Sequence, residues 1–462
     1  MDSNVNSGSL YVAQEKIYPR EVKGTFQSLR NWAVIILLGI YYCLPWLRWD
    51  QHQAVLFDLP ARKFYIFNLI FWPQDFYYLT WLLVIAALTL FLSTAVAGRL
   101  WCGYACPQTV WTEAFIWMER WTEGDRNRQM KLDKGPWNWN KIWRKSLKQF
   151  LWISFSLWTG FTFVGYFTPI TQLGQNLLAF SLGPWETFWF IFYGFATYGN
   201  AGFMREQVCL YMCPYARFQS AMFDADTLII SYAEDRGEPR GSRKKSDDRT
   251  ASGLGDCIDC KQCVHVCPTG IDIRKGLQYE CIACGACIDA CNQIMEKMDY
   301  PKNLIRYTTQ NKIQITKRLF RPRTLIYSSI WILLVIGFIT TISLKIPLDV
   351  DVIRDRNALY QRVDANTIEN VYTLKVMNKD QVMHAYAISV DGIAGIQTKP
   401  ANRQVEVAAG EVLNVPLRVK ASLSAIERRS SKIGITLTAT GNTAITKTEA
   451  TRFLAPVEEH DE

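Results

Sequence analysis

Two runs decide how this chain is read: Cys257-Ile-Asp-Cys260-Lys-Gln-Cys263-Val-His-Val-Cys267-Pro268, and Cys281-Ile-Ala-Cys284-Gly-Ala-Cys287-Ile-Asp-Ala-Cys291. Both carry the C-x-x-C-x-x-C-x-x-x-C spacing of bacterial two-cluster ferredoxins, in which the fourth cysteine of each run ligates the other cluster. The spacing predicts one [4Fe–4S] cluster on Cys257, Cys260, Cys263 and Cys291, and a second on Cys281, Cys284, Cys287 and Cys267. Each short C-x-x-C-x-x-C turn presents three sulfurs to one cube, and the crossed fourth ligand ties the halves together. Zinc is the competing reading, but structural zinc takes its four ligands as separated pairs. Asn292 stands where the second run would often have Pro, which affects the turn and no ligand. His265, between two ligands, reads as a surface residue.

Of the 13 cysteines, these runs use eight, two further pairs use four, and Cys43 is left over, with none beyond Cys291. Clustering at metal-ligand spacing points to a reducing compartment for the chain up to about Cys291. Cys43 reads as packing within an apolar helix.

On both sides of the cysteine-rich segment, apolar runs of membrane-spanning length alternate with charged stretches. Five candidate spans are Trp32–Leu47, Phe76–Ala97, Phe150–Phe167, Trp185–Phe203 and Leu325–Leu344, with a buried core helix as the alternative for each. The mean hydropathy of −0.02 over 462 residues is thus an average of unlike parts. Disorder, a collagenous chain and a wholly soluble enzyme are excluded. About thirty polar residues before the first run argue against a cleaved signal.

Lys and Arg set the expected orientation. The stretch between the second and third spans holds Arg120, Arg126, Arg128, Lys131, Lys134, Lys141, Arg144, Lys145 and Lys148; such loops face the cytoplasm, with docking of an acidic partner as the alternative. The N-terminal tail and the residues from about Arg205 to Arg323 then lie inside, and the chain from Pro347 onward lies in the periplasm. Much of the net charge of +9 belongs to these loops, so it does not imply a nucleic-acid partner.

The membrane part contains a repeat. Cys102-Gly-Tyr-Ala-Cys106-Pro107 follows the second span and Cys209-Leu-Tyr-Met-Cys213-Pro214 follows the fourth, the same C-x-Y-x-C-P at the same end. Thiols four apart on a helix face lie about 5–6 Å apart at Cβ, whereas a disulfide needs roughly 3.5–4.5 Å. A metal fits better than a disulfide. Each Pro predicts a kink or restart that can draw the sulfurs closer, so a dithiol role stays open. Soft thiolates select Cu(I), with no His or carboxylate cluster beside them to favour a harder ion. Met204 and Met212 are possible thioether donors, with plain packing the simpler role. Four buried cysteines without chemistry are the alternative to the whole site.

His52, His384 and His460 lie outside every span, which argues against a membrane bis-His haem, and no G-x-G-x-x-G opens a helix. The sequence therefore predicts no haem and no flavin in this chain, and electrons that arrive from a cytoplasmic donor. Beyond the last span, Asn370–Val376, His384–Asp391, Gln404–Glu406, Val412–Val419 and Ile433–Thr440 alternate apolar with polar between turn residues, which predicts an Ig-like β-sandwich with a binding or assembly role. The expected architecture is a five-span helical bundle with a two-cluster insert and a sandwich tail. Its divisions are residues 1–31, a cytoplasmic tail; 32–216, four membrane helices in two repeat units; 217–323, the cytoplasmic ferredoxin domain; 324–345, the fifth helix; and 346–462, the periplasmic sandwich.

Together these features resemble the FixG/RdxA/CcoG family, the cytochrome c oxidase accessory proteins of bacteria, over essentially the whole chain. The resemblance implies reduction of Cu(II) to Cu(I) in the bacterial inner membrane, with Cys102, Cys106, Cys209 and Cys213 carrying the copper chemistry. It also implies supply of copper for assembly of a cbb3-type oxidase. Partners expected on this basis are a copper chaperone or transporter, the oxidase assembly machinery and a second copy of the chain. Two other readings remain: a respiratory carrier linked to quinol or a flavoprotein, resembling the membrane ferredoxins of nitrate and nitrous oxide respiration, and a non-enzymatic, redox-sensing assembly scaffold.

Overall fold

The computed structural model describes residues 16–49, 52–245, 253–311, 321–355, 358–399, 404–426 and 428–456. Residues 1–15 of the expected N-terminal tail, and His460, lie outside the described residues. The chain forms two compact units, one drawn from the residues up to Arg48 and from Thr80–Val335, the other from Trp49–Leu79 and from Ile336 onward.

Helices dominate the first unit: α1 (Thr25–Cys43), α2 (Phe76–Ala97, which enters it at Thr80), α3 (Leu100–Tyr104), α4 (Pro107–Glu123), α5 (Arg126–Lys134), α6 (Trp139–Val164), α7 (Ile170–Leu178), α8 (Pro184–Thr197) and α9 (Pro214–Met222). Among the described residues three helices are long and apolar enough to cross a membrane: Thr25–Trp46, Pro73–Ala97 and Pro322–Ser343. The sequence led us to expect five. The other two expected segments fall on α6 and α8. Helix α6 carries Lys141, Arg144, Lys145 and Lys148 in its first turns. Helix α8 is regular for only 14 residues, about 21 Å at 1.5 Å per residue against an apolar layer of about 30 Å. It then widens into a π-helical stretch, Tyr198–Met204. These two helices cross closely: a Cβ at Gly160 would run into the Phe190 carbonyl oxygen, and the Phe163 and Tyr193 rings stack at 3.5 Å.

Cys43 is exposed, not packed as expected, and Met212 is exposed as well. Cations of the stretch after α3 also find partners within the fold. Glu113, Glu119 and Glu123 on α4 are all buried, and the cations come to them. Arg30 reaches Glu113 at 2.8 Å, Arg205 reaches Glu119 at 2.7 Å, and Lys148 and Lys145 reach Glu123 at 2.9 and 3.0 Å. Glu119 and Glu123, four apart, share one helix face, and Glu113, about one and a half turns earlier, meets its own cations, so α4 is held by charge where an ordinary core helix would present Leu.

Between α9 and the last helix lies the cysteine-rich insert. Its ends meet: Ile229–Tyr232 pairs antiparallel with Ile305–Thr308. Within it, Gln262–His265 and Ala286–Lys297 are the helices following each C-x-x-C, and Ile230, Ile273, Ile288, Met295, Leu304 and Ile305 form the apolar core.

The second unit contains a two-sheet sandwich. One sheet runs in the order Gln397–Lys399, Val412–Ser422, Thr367–Asn378, Leu348–Arg354, with Gln361–Asp364 also paired to Thr367–Asn378; the other runs Gln404–Val407, His384–Asp391, Ser430–Ala439, Thr446–Leu454. The alternation read from the sequence supplies the core: Leu374, Val376, Leu417, Val419, Ile435, Leu437 and Phe453 point inward, and the buried Tyr372 hydroxyl crosses to the Arg452 carbonyl at 3.0 Å. The same unit includes a three-stranded meander, Val55–Asp58, Lys63–Ile66 and Leu69–Phe71, that the sequence did not announce. Asp75, just after it, receives Lys345 at 2.8 Å and Lys379 at 3.2 Å.

Candidate functional site

The eight clustered thiols surround two spaces in the insert. A cavity of about 370 Å³ is lined by Cys257, Cys260, Cys263 and Cys291 with Ile258, Ile294, Met295, Leu304 and Ile305. A second, of about 340 Å³, is lined by Cys267, Cys281, Cys284 and Cys287 with Ile230, Ile271, Ile273 and Ile282; Cys263 reaches both. Cys291 thus lies beside the first run and Cys267 beside the second. Burial pushes the Cys263, Cys281 and Cys291 thiols up to about 12, with neighbouring thiols adding to the effect. Such an array is poorly suited to stand as free thiolates, but a coordinating thiol is deprotonated outright by the metal. Four sulfurs inside an apolar shell fit a [4Fe–4S] cluster at each cavity. Among the described residues no group of three or more His, Cys, Asp or Glu gathers round a single point.

The paired motifs adopt matching end geometries. Each second cysteine, Cys106 or Cys213, is an extended residue directly before a proline that starts a helix, α4 or α9. The chain breaks and restarts where the prolines led us to expect it. Ahead of the break the motifs differ: Cys102 lies on the short α3, whereas Cys209 lies on a π-helical turn, Val208–Met212. Burial raises the Cys102 thiol to about 11, helped by Cys106 and Cys213 and opposed by Arg99. It raises Cys209 to about 12, helped by Cys106, Cys102, Cys213 and Glu206. The four thiols are therefore near enough to sense one another across the two motifs, without closing round one point. Cys106 is also raised by burial, while the N–H groups of Gln108 and Thr109 at the start of α4 favour its thiolate.

The first motif abuts the insert. A Cβ at Gly103 would meet the Ile282 carbonyl oxygen at 2.8 Å and the Cys284 Cα at 3.0 Å. Only glycine allows α3 to approach the Cys281–Cys284 turn this closely. Tyr104 donates to the Cys284 carbonyl at 3.1 Å, and Cys102 packs with Ile282 and Cys284. Arg99 connects three pieces, donating to the Tyr279 carbonyl just before Cys281 and, at 2.5 Å, to the Ala216 carbonyl in α9. The Cys102 thiol lies 3.4 Å from Oε1 of the buried Gln219. Arg99, Gln108 and Gln219 were not singled out from the sequence. Their proximity to the motifs in the chain is the one signal there, and it does not distinguish them from ordinary polar residues.

The fold and its thiol sites define the class: a membrane-anchored iron–sulfur protein of electron transfer. Family profiles agree. The profile of the 4Fe-4S dicluster domain matches residues 204–310, that of the Ig-like fold at the C-terminus of FixG matches 338–456, and that of a 4Fe-4S binding domain matches 79–126. The chain is 40% identical to protein RdxA of Cereibacter sphaeroides over 433 residues, 90% of this chain and 89% of that protein. It is 41% identical to protein RdxB of the same organism over 408 residues, 85% of each. With the nitrogen fixation protein FixG of Rhizobium meliloti it shares 35% over 460 residues, 90% of this chain and 88% of that one. The chain belongs to the FixG/RdxA family of iron–sulfur oxidoreductases.

Proposed function

We propose that this protein reduces Cu(II) to Cu(I) at the paired cysteine motifs and hands on Cu(I) for assembly of a cbb3-type oxidase. Cys102, Cys106, Cys209 and Cys213 are the copper-handling residues. Cys257, Cys260, Cys263 and Cys291 hold one cluster, and Cys267, Cys281, Cys284 and Cys287 the other. When bound, the clusters supply one-electron chemistry, matched to a one-electron metal reduction. Cu(II) takes up one electron, a cytoplasmic donor protein loses one, and the thiols keep the soft product. The observation carrying this reading is the contact of the first motif with the Cys281–Cys284 turn through Gly103 and Tyr104. In the same reading five helices cross the inner membrane, with the insert in the cytoplasm and the sandwich in the periplasm, and a copper chaperone or transporter exchanges the metal.

A second reading has a specific support. The 4Fe-4S binding profile covers residues 79–126, where Cys102 and Cys106 are the sole cysteines. A third cluster there would need Cys209 and Cys213 as well. Iron analysis separates the two: about eight irons per chain for two [4Fe–4S] clusters, about twelve for three. The functional test follows reoxidation of the chemically reduced protein by Cu(II) and by a quinone, with Cys209→Ala and Cys213→Ala alongside. Reoxidation by Cu(II) that both substitutions abolish supports the proposal. Reaction with quinone alone favours a respiratory carrier, and inertness to both favours a scaffold.

A further inference from the structure

Beside Cys209 lies a half-open pocket that the paired motifs alone do not explain; Gln108, Thr112, Glu206, Cys209 and Thr269 are among its lining residues. The backbone entering it is strained. Arg205 has φ +41° and ψ −112°, a conformation that a non-glycine residue keeps only where its surroundings over-determine it, and such residues concentrate at functional sites. Here they do over-determine it. The Arg205 guanidinium is fixed by Glu119 at 2.7 Å and the Gly202 carbonyl at 2.9 Å, its N–H donates to the Asn200 carbonyl at 2.8 Å, and its carbonyl accepts from Gln108 at 3.0 Å. π-helical turns lie on both sides of it, Tyr198–Met204 and Val208–Met212, another feature frequent at functional sites. The outcome is that Glu206 and Cys209, a carboxylate and a thiol three residues apart, line one cavity.

We propose that Glu206 is the oxygen ligand that receives the oxidised substrate. Cu(II) prefers nitrogen and oxygen donors and Cu(I) prefers sulfur, so a carboxylate beside a thiol gives each oxidation state a partner in one cavity. Cu(II) binds through the Glu206 carboxylate and gains one electron, which the cytoplasmic one-electron donor protein loses by way of the iron–sulfur centres. The Cu–O bond is then given up for Cu–S bonds to Cys209 and its partner thiols. Each thiol that takes the Cu(I) releases its proton to solvent as the Cu–S bond forms, and the carboxylate is left free when the Cu–O bond breaks. The placement agrees with the electrostatics, since the Glu206 carboxylate adds to the upward push on the Cys209 thiol. This assignment rests on the copper reading of the paired motifs.

Glu206→Gln keeps the size of the side chain and removes its charge. The full-length protein in detergent, with its clusters oxidised, is mixed anaerobically with cupric ion and freeze-quenched, so that EPR reads bound Cu(II) before the thiols act on it. Cuprous ion is titrated separately against a chromogenic Cu(I) chelator. Glu206→Gln is expected to weaken Cu(II) binding by about tenfold or more while Cu(I) affinity stays within about twofold. Glu206→Asp is expected to recover part of the Cu(II) signal, and unchanged cluster absorption shows that each variant is folded. Cu(II) binding by Glu206→Gln equal to wild type overturns this inference and leaves the copper reading standing. An equal loss of both oxidation states also overturns it, as a general disturbance of the site. Wild-type protein that binds neither ion defeats the copper reading and this inference with it.

Discussion

The Tyr104 hydroxyl donates to the carbonyl oxygen of Cys284 at 3.1 Å, joining the middle of one C-x-Y-x-C-P motif to the middle of the second cysteine run. Its counterpart, Tyr211, is exposed. Two motifs alike in sequence are therefore unlike in their surroundings, and only the first touches the insert by its tyrosine. Gly103→Ala places a methyl group against the Ile282 carbonyl and the Cys284 Cα. It is expected to slow copper-dependent reoxidation with iron content unchanged, whereas Tyr104→Phe, which removes one hydrogen bond, costs about 1 kcal/mol of stability. Iron assays, stopped-flow traces and thermal melts check both.

Cys260 is exposed while Cys284 is buried. The cluster assigned to Cys257, Cys260, Cys263 and Cys291 is therefore expected to be lost to a chelator or to oxygen before the one assigned to Cys267, Cys281, Cys284 and Cys287. EPR during progressive chelation follows the order, and loss of both at one rate counts against it.

Burial would raise the Glu119 carboxyl, but Arg205, Lys16 and Lys148 outweigh it and hold it down to about 2. A carboxylate whose folded pKa is depressed stabilises the fold fully above its unfolded pKa, and that stability is lost as pH falls towards the folded value. The window here is from about 4.5 down to about 2, and the contribution is on the order of 3 kcal/mol. Melting temperature measured against pH should fall through this window. Glu119→Gln should flatten that dependence and lower stability at neutral pH by about 3–5 kcal/mol, since it leaves Arg205 buried without its partner.

In the second unit Asp75 joins Lys345 and Lys379, and both Asp75 and Lys379 are buried. Asp75→Asn is expected to cost about 3 kcal/mol by leaving Lys345 without a carboxylate beside Lys379, which keeps Asp349 at 3.0 Å. Asp75→Asn with Lys379→Met should recover part of the loss. Proteolysis of the sandwich, in wild type and both variants, reads the difference.

Much of this was legible before folding. The insert could be read because cluster ligation is written in local spacing, and the crossing of Cys267 with Cys291 follows from that spacing. The sandwich could be read because Val412–Val419 and Ile433–Thr440 alternate with a period of two. Helix breaks at Cys106 and Cys213 followed from the prolines. The meander at 55–71 was missed because strands of three and four residues are too short for alternation to register. The cations between Arg120 and Lys148 were read chiefly as topology because the partners of Lys145 and Lys148 are carboxylates that only the fold brings to them. Glu206 escaped for a similar reason: i, i+3 spacing to a cysteine is common, and the strain at Arg205 that turns both into one cavity has no signature in composition.

Since Ile229–Tyr232 pairs with Ile305–Thr308, the chain leaves the helical unit and returns to it at one place, with all eight clustered cysteines enclosed between. A segment closed in this way behaves as a cassette. The strand pair fixes where it leaves and rejoins the helices, so a change of length inside it need not move them, while Arg99, Gly103 and Tyr104 fix the face on which residues 279–284 rest.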